Sequence, residues 1–205
     1  MVAWTLSGCA AREGGTQLSG FEFAVPAGCA LPANQGGGSC QFTIDGRSMG
    51  IALDSVAAKP ADVAALYGVE ISATESTLDD FKSLLRAYHD EFWSRATGSS
   101  WKATSASSRF DASRADALGF RECLRYSLSG AAAAFANDFD GVICATYSES
   151  SDLVAILHLI YSETRDPEQP KSASFDREAD AIIRSLRRAP PATRTSYQRM
   201  IPGNP

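Results

Sequence analysis

Leu6-Ser7-Gly8-Cys9 places an aliphatic residue and two small residues before a cysteine, the pattern of a bacterial lipobox. In such a box the cysteine becomes the lipid-bearing first residue of the mature chain. A complete signal peptide has a basic start and an apolar stretch of about 7–15 residues. Here eight residues precede Cys9, none of them Lys or Arg. The expectation is that residues 1–19 are a truncated signal remnant, a lipobox and a polar, Gly-rich tether, with more chain upstream. The bland alternative is a chance match in alanine-rich sequence.

The chain has five cysteines: Cys9, Cys29, Cys40, Cys123 and Cys144. An odd count outside the cytosol sets one cysteine apart, and lipidation of Cys9 leaves four that can pair in three ways. Cys29 and Cys40 bracket a Gly-rich loop that a bond would close. Cys123 and Cys144 fall on two consecutive predicted strands whose hairpin midpoint, near residue 134, sets them opposite each other. Against this stands a cytosolic chain with five reduced, buried thiols. No CxxC pair and no Cys/His cluster at zinc spacing occurs.

Three further motifs could carry chemistry. Gly46-Arg47-Ser48-Met49-Gly50 matches G-x-S-x-G, which would make Ser48 an esterase nucleophile if a strand preceded it and a helix followed. The Asp45-Gly46 turn and the strand-like Ile51-Ala52-Leu53 argue instead for a hairpin. His89 and His158 are the two histidines available as a base. His158 lies within an apolar run and reads as a hydrogen-bonded core residue, and His89 as the edge of a helix stripe. Ser99-Ser100-Trp101-Lys102 matches S-x-x-K without its companion motifs. Asn137-Asp138-Phe139-Asp140-Gly141 offers Asp138 and Asp140 as a weak cation site, yet lacks the closing glutamate of a calcium loop. A plain turn is the default there, and no cofactor is expected.

The elements that must position these residues follow from periodicity. Strands are predicted over 20–25, 40–44, 48–56, 101–110, 118–128, 141–147 and 153–161, with a loop over 130–140. Helices are predicted over 60–69, 77–97 and 173–188. The longest helix carries its stripe at Leu78, Phe81, Leu84, Leu85, Tyr88 and Phe92. In the last helix, Asp176 and Glu178 start it and Arg184, Arg187 and Arg188 end it, complementing the helix dipole. Residues 153–161 are apolar at both parities, which predicts a strand covered on both faces. Residues 189–205 show no periodicity and are expected to form a disordered tail. The fold class is α+β, a mostly antiparallel sheet flanked by helices, with a single domain over 20–188.

The segments FEFAVPAGC with DGRSMGIALD, the strands RECLRYSLSG, GVICATYSES and LVAILHLIYSE, and the ending FDREADAIIRSLRR together resemble the Mog1/PsbP-like family. The resemblance spans about residues 20–188. It implies an α/β/α sandwich and a binding or assembly role, with no family-wide catalytic set to carry over.

The net charge of −5 offers no support for nucleic-acid binding. No apolar run approaches the roughly 18 residues of a membrane-spanning helix. The reading these features favour is a non-catalytic bacterial envelope lipoprotein, anchored through Cys9 and facing the periplasm or cell surface. It would bind a partner protein or envelope component. The alternatives are a small serine esterase using Ser48 and a cytosolic adaptor of the same fold.

Overall fold

Val154, Ile156, Leu157, His158 and Leu159 are all buried in strand β8 (Leu153–Arg165). Side chains alternate between the faces of a strand, so consecutive buried residues require a packed layer on each side. In the computed structural model β8 lies inside a six-stranded, fully antiparallel sheet ordered β3-β4-β8-β7-β6-β5. Its other strands are β3 (Gly37–Ile44), β4 (Arg47–Ala58), β5 (Lys102–Phe110), β6 (Glu122–Ala132) and β7 (Phe135–Ser148). The structure describes residues 16–18, 20–26, 29, 37–44, 46–72, 74–97 and 100–188, with backbone alone at 16–18 and 37. The lipobox with Cys9 and residues 189–205 lie outside the described residues.

Two cores follow from the alternation. On one face, α1 (Pro60–Tyr67) and α2 (Leu78–Thr97) cover Leu124, Tyr126, Ile143, Val154 and Ile156. On the other, α3 (Ala112–Leu118) and α4 (Phe175–Ser185) cover Cys123, Val142, Cys144, Leu157 and Leu159. The predicted α+β class and the two-sided burial of 153–161 are thus what the chain adopts. The start of α2 is a reciprocal cap: Asp80 N–H donates to Thr77 Oγ1 at 3.3 Å and Thr77 N–H to Asp80 Oδ2 at 2.7 Å.

Four expectations are corrected. The loop predicted over 130–140 is strand: β6 and β7 pair to Ala132 opposite Phe135, leaving Ala133-Ala134 as the turn. Alanine is a weak strand former, but Ala131 also pairs Lys102 of β5 and Ala136 pairs Arg165 of β8, so neighbours on both sides supply the ladder. The strand predicted to begin at Leu118 is preceded by helix α3. Asp111 accepts the Arg114 N–H at 3.1 Å, and Gly119 ends the helix at φ +67°. The first predicted strand does not join the large sheet. Its core, β2 (Phe21–Phe23), sits between β1 (Thr16–Leu18) and β9 (Arg187–Arg188) in a small separate sheet. Arg187 and Arg188 therefore do not complement the dipole of α4. Arg187 pairs Glu22 at 2.5 Å, and Arg188 Nε donates to the Leu118 carbonyl at 2.6 Å. Arg114 caps α4 instead, donating to the carbonyls of Ile183 and Leu186.

Both proposed disulfides are present. Cys123 and Cys144 stand directly opposite each other in the β6–β7 ladder, fully buried. Cys29–Cys40 ties the approach to β3 onto that strand. In the chain-entropy picture, closing a loop of this length contributes about 3 kcal/mol. Replacing Cys123 and Cys144 together with alanine is expected to cost at least about that much, read as a lower urea midpoint with a steeper slope as the uncrosslinked denatured chain exposes more surface. A midpoint equal to the parent's would show that the bond contributes nothing beyond the pairing around it.

Candidate functional site

Ser48 is the second residue of β4, exposed, and opposite Thr43 on one side and Thr164 on the other. The strand continues to Ala58, so no helix begins behind the serine. Gly46, at φ +77°, supplies the turn that the hairpin reading expected. His158 is opposite Asp54, six positions further along β4, and is fully buried; His89 is bonded to Asp90 at 2.9 Å. The structure does not bring Ser48 together with either histidine. Of the S-x-x-K match, Ser99 lies outside the described residues and Lys102 starts β5.

Asp138 and Asp140 sit in β7 rather than in a loop, and both are buried. Asp138 accepts from Ser129 Oγ at 2.6 Å and from Arg165 Nε at 2.9 Å. Asp140 pairs Arg125 Nε at 3.3 Å. Guanidinium groups occupy the places a cation would need, and no cluster of three potential metal ligands occurs among the described residues. The next pair in the same belt is Glu163, fully buried against Arg47 at 2.5 Å and bonded by the Ser172 N–H at 3.0 Å.

The two histidines belong to an aromatic cluster under α2. Tyr126 OH and His158 Nε2 are 2.7 Å apart. The tyrosine reaches from β6 to β8 by crossing β7 at Gly141, where an added Cβ would stand 2.4 Å from the hydroxyl. The rings of Phe92 and Tyr88 meet His158 edge-on at 4.6 and 5.6 Å. Burial, reinforced by the neighbouring His89, pushes the His158 imidazole from 6.5 down to about 3. It is a neutral core residue, as the sequence suggested. Beside the cluster, Val56, Tyr67, Tyr88 and Phe92 line an open groove of about 400 Å³, with the Glu91–Arg95 pair at its lip.

The feature that the sequence reading passed over is β5. It is the edge strand, and all eight residues from Lys102 to Arg109 are exposed. Consecutive exposed residues mean that neither face is covered. Among the described residues no strand pairs with its outer edge. The signal was legible as an absence: KATSASSR is strand-like yet has no apolar face to bury. The opposite edge, β3, differs, since Cys40 and Phe42 are buried and the Cys29 bond holds it.

Cations gather where β5 ends. Arg86 lies over the Phe110 ring at 4.9 Å and Lys82 at 5.6 Å. On the other face Arg109, Arg114, Arg125 and Arg184 line a cleft of about 480 Å³ together with Asp111 and Asp180. Asp180 is held by Arg184 at 2.7 Å and by Arg125 at 3.3 Å. Burial alone would raise the Asp111 carboxyl, but Ser113, the Arg114 N–H and the charges of Arg109 and Arg114 hold it below the ordinary value. Lys102, Arg86 and Arg109 form no ion pair among the described residues.

No protein-family model matches the chain, and no curated protein matches it. Among solved structures it is similar to one titled "Protein Mog1 E65A mutant", at 10% identity and a TM-score of 0.41, over 87% of this chain and 97% of that one.

Two outcomes are expected. His158 stays neutral in the folded chain down to about 3, whereas the unfolded chain protonates it below 6.5. Its contribution to stability is therefore complete above pH 6.5 and falls as the pH drops, by about 1.4 kcal/mol per unit. His158→Gln should flatten the fall between pH 6.5 and 5 in urea melts; an unchanged slope would assign it to other groups. A fluorophosphonate probe should leave Ser48 unlabelled, and labelling abolished by Ser48→Ala would establish a nucleophile there.

Proposed function

We propose that this chain is a non-catalytic binding module of the bacterial cell envelope, lipid-anchored at Cys9, which takes up an extended segment of a partner protein along the free edge of β5. The observation that carries the binding reading is the eight-residue exposure of that strand. An edge strand offers a row of unpaired backbone N–H and C=O groups, and natural sheets usually blunt it with proline, a covering element or inward-pointing charge. β5 has no proline, its cations stand at its two ends with Ala103 to Ser108 between them, and its bulge at Thr104 leaves Ser105 to Phe110 in unbroken register with β6. Strand addition uses such an edge directly: main-chain bonds give affinity and alternate side chains give selectivity.

The envelope part of the reading is supported by the cysteine pattern. Intradomain disulfides suit an oxidising compartment, and pairing Cys29–Cys40 and Cys123–Cys144 leaves Cys9 as the one odd cysteine.

The experiment uses the chain expressed in its native host with its own upstream sequence. Intact mass should show a lipid adduct on Cys9, and an unmodified Cys9 would remove the anchor. For the edge, a photo-crosslinking residue is placed at Ser107 of β5 or at Leu66 of α1, beside the aromatic groove. A discrete adduct from Ser107, absent from Leu66, is expected. The Asp111 N–H donates to the Cys123 carbonyl, and hydrogen-bonded positions alternate along the ladder, so Ser107 N–H faces β6 and Ala106 N–H faces outward; Ala106→Pro removes the outward donor, whereas Ser107→Pro would break the pairing with β6. The Ala106→Pro variant should keep its melting temperature and lose the adduct. Adducts from Leu66 alone would move the binding surface to the groove and overturn the β5 reading.

A further inference from the structure

The charges around β5 select what can lie along it. Lys102 and Arg109 stand at the two ends of the exposed run, seven residues apart, and neither has an ion-pair partner among the described residues. At the Arg109 end the strand runs into Arg86 above one face and into the cleft of Arg114, Arg125 and Arg184 below the other. The chain as a whole carries a net charge of −5, so this cationic end contrasts with the rest of the molecule.

From this placement we infer that the occupant of the β5 edge is an acidic extended segment of another protein, with two carboxylates flanking an uncharged stretch that matches the residues between Lys102 and Arg109. The inference rests on the reading of β5 as a strand-addition edge. One end of the segment meets Lys102. The other meets Arg109 and places a carboxylate at the mouth of the arginine cleft. Opposite charges facing each other across a strand pair are stabilising and like charges destabilising, and this sets the choice of partner.

Two other occupants are disfavoured on the same ground. A second copy of this chain, paired antiparallel about the Ser105–Ala106 midpoint, would bring each Lys102 beside the other copy's Arg109, cation near cation at both ends. The chain's own residues 189–205 contain Arg194 and Arg199 and no Asp or Glu, so they bring the wrong sign. The cations thus act as a guard against self-pairing and as an attraction for an acidic strand.

The test uses the disulfide-intact full-length chain and two fluorescent, β-prone peptides of equal length. One carries two glutamates six residues apart, the step by which β6 spans Lys102 and Arg109 across the Thr104 bulge, and the other carries lysines at the same positions. The glutamate peptide is expected to bind, more weakly as salt rises. The lysine peptide should bind at least about tenfold more weakly. The double variant Lys102→Glu/Arg109→Glu changes two exposed side chains and should reverse the preference, with its circular dichroism unchanged. Equal binding of both peptides, lost in the outward-facing proline variant, would overturn the charge inference and keep the strand-addition reading. Binding of neither peptide, or binding that both proline variants leave intact, would overturn both. Sedimentation showing a dimer that the same proline variant dissolves would identify the occupant as a second copy and overturn the acidic-segment inference.

Discussion

Covering β7 and β8 on both faces is the constraint on which the rest of the molecule depends. Once α1 and α2 lie on one side and α3 and α4 on the other, no water reaches the middle of the sheet, and every polar group there needs a partner within the protein. The backbone meets this by unbroken antiparallel pairing across six strands. Side chains meet most of it by spanning strands: Tyr126 crosses Gly141 to reach His158, and Arg125, Arg165 and Arg47 each neutralise a buried carboxylate, while His158 Nδ1 and the indole N–H groups of Trp93 and Trp101 have no partner among the described residues. A residue type that would suggest chemistry on a surface is here a consequence of burial.

That distinction decides which features bear on function. His158, Asp138, Asp140 and Glu163 are all engaged by neighbours inside the layers. Removing one partner from such a pair leaves a buried group uncompensated, and that cost explains why both members stay. β5 is the reverse case. It is anchored through its pairing with β6 and by Phe110 at its end, and its side chains from Lys102 to Arg109 stabilise nothing by burial. Eight consecutive strand residues without a buried face carry an entropy cost that packing does not offset locally. A second pairing on the outer edge would supply the missing main-chain bonds.

The disulfides and the small sheet close the ends of the structure. Cys123–Cys144 fixes the register of the hairpin from which β5 hangs, and a one-residue slip there would turn Arg125 and Arg109 to the opposite face. The small sheet β1-β2-β9 holds the entry and exit of the domain together, through Glu22–Arg187 and through Arg188 on the end of α3.

Local pattern alone determined a good deal. The two-sided burial of 153–161, the stripe of α2, the Gly46 hairpin and the opposition of Cys123 to Cys144 are set by periods of 2 and 3.6 and by turn residues, all of them short-range. Helix α3 was readable too, in the Asp111 cap and Gly119 stop, although at seven residues it is too short to show a helical period. Only the tertiary structure decided that 130–140 pairs on both sides, that Arg187 and Arg188 leave their helix for a strand, and that Asp138 and Asp140 face arginines from β8 and β6. Each of these depends on a partner distant in sequence, which periodicity does not encode. The same holds for β5: its composition marks it as a strand with nothing to bury, but that it lies at an edge, beside a cleft of arginines from three other elements, is a fact of strand order.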